Sequence, residues 1–232
     1  NDDTPSMSSS KPKDIIHDDV CSICFDDVSI LDVTTFILYT CCGKVLHIKC
    51  HDQLCDTKSL SHETKHSCPM CRAQNVAHGS KEHIERLQRW SQLGRSWAQC
   101  SLGCLYDQNV LGVNRDPKRS FELTKLAADQ GHHSAQYNLG TKYAAGQGVI
   151  QSDTLAFKYW KKSADQGVAD AQYNVGVGYA YGTGAEQSDT QAAKYYELAA
   201  DQGDCSAQCH LGLLYGEGRG VIQSDELAFT YY

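Results

Sequence analysis

The sequence predicts two units of different fold class: a small, loop-rich α+β module, followed by an all-α solenoid of helix–turn–helix repeats. Two observations lead to this prediction. Cysteine and histidine residues recur at short spacings between residues 21 and 71, and from residue 97 onward a set of residues recurs with a step of 36. A step of this size is typical of solenoids, in which each repeat is one supersecondary unit stacked on the next.

Length and charge narrow the classes of function. A chain of 232 residues has room for one or two domains. Its formal net charge is -7 and its Lys and Arg residues are scattered, which argues against a nucleic-acid surface, because such a surface needs a basic stripe. There is no run of eighteen apolar residues, so no membrane span is expected. Residues 1–17 are rich in Ser, Pro, Lys and Asp and are predicted to be a disordered tail.

The cysteine pattern predicts a zinc module over residues 18–75. Two CxxC pairs, Cys21/Cys24 and Cys68/Cys71, flank a central group formed by Cys41, Cys42, His47 and Cys50. Zinc binds four thiolate or imidazole ligands in a tetrahedron, and a two-residue gap directs two sulfurs at one metal. These eight candidate ligands are enough for two closed, structural sites, and hence for two Zn²⁺ ions.

A disulfide framework is the alternative for these cysteines. It suits secreted chains, but no apolar signal segment opens this sequence, and eight of the twelve cysteines lie between residues 21 and 71. Zinc is therefore favoured, and a reducing compartment, the cytoplasm or the nucleus, is the expected location.

The order of these ligands resembles that of a RING finger. In that family the first and third ligand pairs share one zinc and the second and fourth share the other, which implies one site of Cys21, Cys24, His47 and Cys50 and a second of Cys41, Cys42, Cys68 and Cys71. Many RING fingers read Cys-Gly-His where this chain has Cys42-Gly43-Lys44. A protonated Lys offers no lone pair to a metal, so the third ligand moves back to Cys41. His51, Cys55 and His66 are the spare candidates.

The RING resemblance also implies a function. Members of that family recruit a ubiquitin-charged conjugating enzyme and form no covalent intermediate with ubiquitin. Ile23 and Pro69 match the positions that contact the conjugating enzyme, and Arg72 matches the position whose guanidinium bridges that enzyme and ubiquitin. Each residue also has a purely structural explanation: Ile23 packs inside the first CxxC turn, Pro69 shapes a turn, and Arg72 is a surface charge.

The second part of the chain, residues 97–232, contains four copies of one repeat. The pair Ala-Gln recurs at Ala98, Ala135, Ala171 and Ala207, and each pair is followed at fixed offsets by a Gly and a Tyr. Each unit predicts two helices. Ser152-Asp153 and Asp116-Pro117 are typical helix starts, and Gly146 is a typical helix end. The Gly-x-Gly pairs recur between helices in each unit, so they are interpreted as turns rather than phosphate loops.

These motifs resemble Sel-one-like repeats, relatives of the tetratricopeptide repeat, over residues 97–232. Residues 81–96 are predicted to form a linker or capping helix with Ile84, Leu87, Trp90 and Leu93 on one side. The last repeat is incomplete, which predicts that further repeats follow. The remaining cysteines form two i, i+4 pairs, Cys100/Cys104 and Cys205/Cys209, expected to be small buried residues, and His132-His133 is expected to be a solvated turn.

Together, these patterns lead to a first interpretation and to two alternatives. The first interpretation is a RING-type ubiquitin-protein transferase, with a protein substrate or adaptor bound on the helical repeats. One alternative is a zinc-binding scaffold or adaptor without ubiquitin transfer. In the other, the zinc module mediates dimerisation and the solenoid is a scaffold.

Overall fold

A computed structural model describes residues 36–39, 44–47, 80–108 and 113–232 of the chain. The chain divides into two compact units, Asn1–Asn75 and Val76–Tyr232. The eight predicted zinc ligands all belong to the first unit and the repeats to the second.

In the first unit, two strands form an antiparallel pair. Strand β1 is Phe36–Tyr39 and strand β2 is Lys44–His47. Phe36 lies opposite His47, and Tyr39 lies opposite Lys44. Four residues, 40–43, join the two strands, a length within the common range for hairpin loops.

The described part of the second unit is formed by nine helices in chain order. They are α1 (Lys81–Gln92), α2 (Ser96–Asp107), α3 (Pro117–Asp129), α4 (His133–Ala145), α5 (Asp153–Ala164), α6 (Ala169–Tyr181), α7 (Asp189–Ala200), α8 (Cys205–Glu217) and α9 (Asp225–Tyr231). Helices α2 to α9 form four antiparallel pairs, one pair per repeat. Each helix packs mainly on the helix before it and the helix after it in the chain. We call α2, α4, α6 and α8 the first helices and α3, α5, α7 and α9 the second helices.

Helix starts and ends confirm the predicted capping. The Ser152 side chain accepts a hydrogen bond from the Leu155 backbone N–H, and the Asp116 side chain accepts one from the Arg119 N–H. Gly146 ends α4 in the left-handed conformation, with φ 63°, which a residue with a side chain rarely adopts. The same Ser cap and Gly end recur in the following repeats.

Glycines in the first helices set how closely the two helices of a repeat approach. A Cβ added to Gly140 would lie 2.5 Å from Cδ1 of Trp160, and one added to Gly176 would lie 2.6 Å from Cδ1 of Tyr196. In these two repeats a large aromatic side chain of the second helix occupies the space over the glycine. In the first repeat the hydroxyl of Thr124 takes this place, 2.8 Å from a Cβ added to Gly103.

The second glycine of each Gly-x-Gly pair packs against the preceding repeat. A Cβ at Gly148 would collide with the Pro117 carbonyl, and one at Gly184 would collide with the Asp153 carbonyl. These loops thus rest on the starts of α3 and α5, which confirms that the pairs are structural turns.

A ladder of glutamines connects successive repeats. The buried Gln136 donates from Nε2 to the carbonyl of Ala128 in the preceding repeat, at 3.3 Å, and its Oε1 accepts from Nε2 of Gln166, at 2.7 Å. Gln172 repeats this arrangement with Ala164 and Gln202. The Ala-Gln and Asp-Gln-Gly motifs are therefore two halves of one hydrogen-bonded connection.

Three local expectations are wrong. Cys205 and Cys209 are exposed rather than buried, and Cys104 is only half-buried. Leu93 is 62% exposed, because it ends helix α1 instead of packing with Ile84 and Leu87. The histidine pair is not a solvated turn: His132 is partly buried and caps α4 by accepting from the Ala135 N–H, because its Nδ1 replaces the usual Ser or Asp oxygen.

Candidate protein-interaction surface

The predicted site residues of the first unit lie mostly outside the described residues. This holds for Cys21, Cys24, Cys41, Cys42, Cys50, Cys68 and Cys71, and for Ile23, Pro69 and Arg72. His47 is the last residue of β2. In the described ranges, no group of three or more His, Cys, Asp or Glu side chains is arranged to hold a metal ion. The zinc sites therefore remain a prediction.

The first helices share a continuous surface across the repeats. Its side chains are partly or fully exposed: Tyr137, Asn138, Thr141, Tyr173, Asn174, Val177, Tyr181, His210 and Leu213. We call this set the first-helix surface. The middle of this surface carries no charged side chain. Among the described residues of the first helices, the Asp and Glu residues lie near helix ends (Asp107, Asp170 and Glu217), and the one Lys, Lys142, is buried.

Side-chain contacts join this surface from one repeat to the next. Asn138 donates to the Cys104 sulfur at 3.5 Å, which connects α4 to α2. Tyr137 on α4 packs against a buried cluster that includes Ala171 and Val175 of α6. The rings of Tyr173 and His210, on α6 and α8, lie 5.6 Å apart in an edge-to-face arrangement. The surface is therefore continuous over the three repeats that contain α4, α6 and α8, and Asn138 connects it to α2.

Two tyrosines of this surface, Tyr137 and Tyr173, are neutral at physiological pH. Partial burial raises the pKa of Tyr137, and the carboxylate of Asp170 raises it further. Partial burial, with a contribution from Asp204, likewise raises the pKa of Tyr173. These hydroxyls are available as hydrogen-bond donors and acceptors.

The second helices present a different surface. Their exposed positions carry charges of both signs, including Lys118, Glu122, Lys125, Asp129, Lys158, Lys162, Asp165, Lys194, Glu197 and Asp201. Pairs such as Lys125–Asp129, at 2.7 Å, are exposed i, i+4 ion pairs of the kind that stabilise a helix only slightly. This composition is typical of a solvated outer face.

Sequence reasoning missed the first-helix surface. It relied on the residues that recur in every repeat, and these proved to be structural. The surface occupies offsets at which the residue changes from repeat to repeat: Cys104, Thr141, Val177 and Leu213 share one such offset. The signal available in the sequence was the lack of charge at these changing positions.

Comparisons with known proteins agree with this architecture, which defines the class of protein as an α-helical repeat solenoid. The Sel1 repeat family matches residues 98–132, 133–168, 169–204 and 205–232, more than half of the chain. The chain therefore belongs to the Sel1 repeat family, and the predicted repeat resemblance is confirmed. No curated protein matches the chain.

Two solved structures are similar in fold and sequence. One is c5321, a protective antigen present in uropathogenic Escherichia coli strains displaying an SLR fold, with 34% identity and a TM-score of 0.63 over 68% of this chain. Another is a Sel1 repeat protein from Oxalobacter formigenes, with 31% identity and a TM-score of 0.62 over 65% of this chain. The match spans 32% of the first protein and 60% of the second.

The comparisons support a helical scaffold for protein–protein interaction. They provide no support for a RING finger or for ubiquitin ligase activity. Among the residues that the structure describes, no helix has the length and apolar character needed to cross a membrane.

Proposed function

We propose that this protein is an interaction scaffold that binds a protein partner on its first-helix surface. One observation carries the proposal: the exposed middle of the first helices lacks Asp, Glu, Lys and Arg over four consecutive repeats, whereas the second helices are highly charged. Depletion of charge together with enrichment in tyrosine is the composition of the buried core of protein interfaces.

The chemistry of the surface defines the kind of partner. Tyr173, Tyr181 and Leu213 offer apolar area, and tyrosine does so at a small cost in conformational entropy. Asn138 and Asn174 add amide groups that hydrogen-bond to a peptide backbone. The expected partner is therefore a protein segment with apolar and uncharged polar side chains, laid along several repeats.

Two leucines allow a matched test of this proposal. Leu213 on α8 belongs to the first-helix surface and is 47% exposed, while Leu126 on α3 lies on the charged face and is 52% exposed. Wild type, Leu213→Asp and Leu126→Asp are each used to capture partners from a cell extract, which are quantified by mass spectrometry. We expect a set of proteins to be retained by wild type and Leu126→Asp and lost with Leu213→Asp. Equal loss with both variants, or with neither, contradicts the proposal.

A second proposal concerns residues 18–75, which we assign as a RING-like module holding two structural zinc ions. Eight ligands at zinc spacing support it, and so does the hairpin. Tyr39 and Lys44 pair at the end of the hairpin joined by residues 40–43, which include Cys41 and Cys42. His47 ends β2 three residues further on, about 10 Å away along the strand. This separation favours placing His47 on a different metal from the Cys41/Cys42 pair, as in the RING arrangement.

If the module is a RING, the scaffold has a route to ligase activity. Ile23 and Pro69 would dock a charged conjugating enzyme, and Arg72 would hold its ubiquitin in the reactive position by a multidentate guanidinium. The partner on the repeats would then be the substrate or an adaptor. Discharge of ubiquitin from a charged conjugating enzyme by the purified protein tests this directly. If no enzyme of a panel is discharged, the ligase proposal is refuted and only the scaffold proposal stands.

A further inference from the structure

The hydroxyl group of Tyr196 is buried without a hydrogen-bond partner. Tyr196 lies on α7 and is 1% exposed, and no polar atom of the described residues pairs with its Oη. In the same part of the chain, the other fully buried side-chain nitrogens and oxygens do have partners. An unpaired buried hydroxyl is destabilising, because it gives up its hydrogen bonds to water and gains none in exchange.

The preceding repeat contains a hydrogen bond that this repeat lacks. Trp160 on α5 stands 36 residues before Tyr196, at the same position of its repeat, and its Nε1 donates to Oγ1 of Thr141 on α4 at 3.4 Å. Val177 on α6 stands 36 residues after Thr141 and carries no oxygen in its side chain. A donor therefore recurs on the second helix, while the acceptor on the first helix is replaced by an apolar side chain.

Two aromatic side chains of the first-helix surface cover Tyr196. Its ring centroid lies 5.9 Å from that of Tyr173 on α6 and 5.1 Å from that of His210 on α8, and these two lie 5.6 Å apart. Tyr173 and His210 are each partly exposed, and His210 Nδ1 donates to the Ser206 carbonyl at 2.8 Å. Side chains at a surface change rotamer rapidly, so rotation of either covering ring opens a path to the Tyr196 hydroxyl.

The surroundings of this hydroxyl favour an uncharged acceptor. Burial raises the pKa of Tyr196, and Tyr173 and Tyr181 raise it further, although Arg219 opposes this. The hydroxyl therefore keeps its proton and is able to donate it. The carboxylate of Asp204 acts on the neighbouring Tyr173 and would repel an anion. An amide carbonyl oxygen accepts a hydrogen bond without bringing a negative charge to this place.

We propose that the partner places an amide carbonyl oxygen between Tyr173 and His210, where it accepts a hydrogen bond from the Tyr196 hydroxyl. This inference rests on the proposed function, since it specifies one anchor point for the partner on the first-helix surface. Binding supplies a hydrogen bond that the free protein lacks, and the two covering rings shield it from water. Such a bond adds to affinity, whereas a bond that only replaces one to water adds little.

Tyr195, the preceding residue on α7, provides a matched control. Its ring is 7% exposed, and its hydroxyl accepts a hydrogen bond from Lys161 Nζ at 2.8 Å. Tyr195→Phe and Tyr196→Phe each remove one oxygen atom from a buried ring, but only the oxygen of Tyr196 lacks a partner. In urea unfolding, Tyr196→Phe should leave the midpoint unchanged or raise it, and Tyr195→Phe should lower it.

The binding experiment uses the full-length protein and a peptide probe. Uncharged peptides are selected from a random library on the wild-type protein, and those that also bind Leu213→Asp are removed. The remaining peptides are synthesised with blocked ends, and fluorescence anisotropy gives their affinities for wild type, Tyr196→Phe and Tyr195→Phe. We expect Tyr196→Phe to weaken binding about tenfold and Tyr195→Phe to leave it unchanged.

The outcomes separate this inference from the proposed function. If the selection yields no peptide that requires Leu213, the partner surface is refuted and the anchor with it. If the peptides require Leu213 but bind Tyr196→Phe as tightly as wild type, the surface stands and the anchor is refuted. Equal weakening by Tyr195→Phe and Tyr196→Phe also overturns the inference. So does a lower urea midpoint for Tyr196→Phe than for Tyr195→Phe, because the hydroxyl would then have a partner in the free protein.

Discussion

Replacement of Gln172 by Ala tests the most specific structural prediction about the repeats. The Gln172 side chain is 4% exposed; its Nε2 donates to the Ala164 carbonyl at 3.4 Å, and its Oε1 accepts from Gln202 at 2.7 Å. Alanine removes both hydrogen bonds and one buried methylene group, Cγ, because Ala retains Cβ. The helix itself is not disturbed, because Ala is the best helix former.

The size of the effect follows from these losses. The two hydrogen bonds contribute about 1 kcal/mol each, and the buried methylene about 0.8 kcal/mol. Subtracting about 0.4 kcal/mol for the better helix propensity of Ala gives a destabilisation of about 2.4 kcal/mol. Gln202→Ala should lower the free energy of unfolding by only about 1 kcal/mol. Gln202 itself is exposed, so the only buried group that loses a hydrogen bond is its partner Gln172.

The assay is urea unfolding followed by circular dichroism, with free energies of unfolding compared for Gln172→Ala, Gln202→Ala and the double variant. The double variant should be less destabilised than the sum of the two, by about 1 kcal/mol, because both single variants break the same bond. Gln191→Ala, at an exposed position on α7, is the control and should change stability by less than about 0.5 kcal/mol. If Gln172→Ala costs no more than this control, the glutamine ladder does not stabilise the solenoid.

Further predictions concern packing and the first unit. Gly176→Ala should destabilise the protein by about 1–3 kcal/mol, because its Cβ would lie 2.6 Å from the Tyr196 ring. Gly216→Ala is the control in urea unfolding: the nearest atom to its Cβ lies at 3.7 Å, so this change should be neutral or stabilising, and equal effects of the two changes would show that close approach is not the cause. The purified protein should contain two zinc ions, and strong chelation should unfold residues 18–75 while the helical circular dichroism of the repeats persists; a metal analysis near one zinc per chain contradicts the eight-ligand assignment. If the ligase proposal holds, Ile23→Ala should weaken docking of the conjugating enzyme by about 1–3 kcal/mol, and Arg72→Ala should slow ubiquitin discharge more than it weakens binding. The variants are compared with wild type at equal zinc content, and equal discharge by all three proteins refutes these roles.

Sequence and structure agree where a local chemical rule determines the conformation. Ser152 and Asp116 start helices and Gly146 ends one, as predicted, because each of these residues satisfies or shapes the chain ends next to it. The rule failed at His132, since a histidine is an uncommon cap and its role depends on the geometry of Nδ1 relative to Ala135.

Features that depend on the stacking of repeats could not be predicted in the same way. The recurrence of Gln136 and Gln166 was visible in the sequence, but only the structure shows that they bond to each other. The burial of Cys100 and the exposure of Cys209, which share one repeat position, depend on what packs against α2 and α8. The residue type at such a position does not encode its neighbours. The metal ligands of the first unit lie almost entirely outside the described residues, so their assignment stays a prediction from spacing and from the RING resemblance.

The affinity of a captured partner for Leu213→Asp and Leu126→Asp tests the central claim most directly. A carboxylate placed in the core of an interface loses apolar contact and is desolvated, so the account predicts that Leu213→Asp weakens binding at least tenfold, or about 1.4 kcal/mol, while Leu126→Asp binds as wild type does. Equal affinities for the two variants, with both folded by circular dichroism, would contradict a binding site on the first-helix surface.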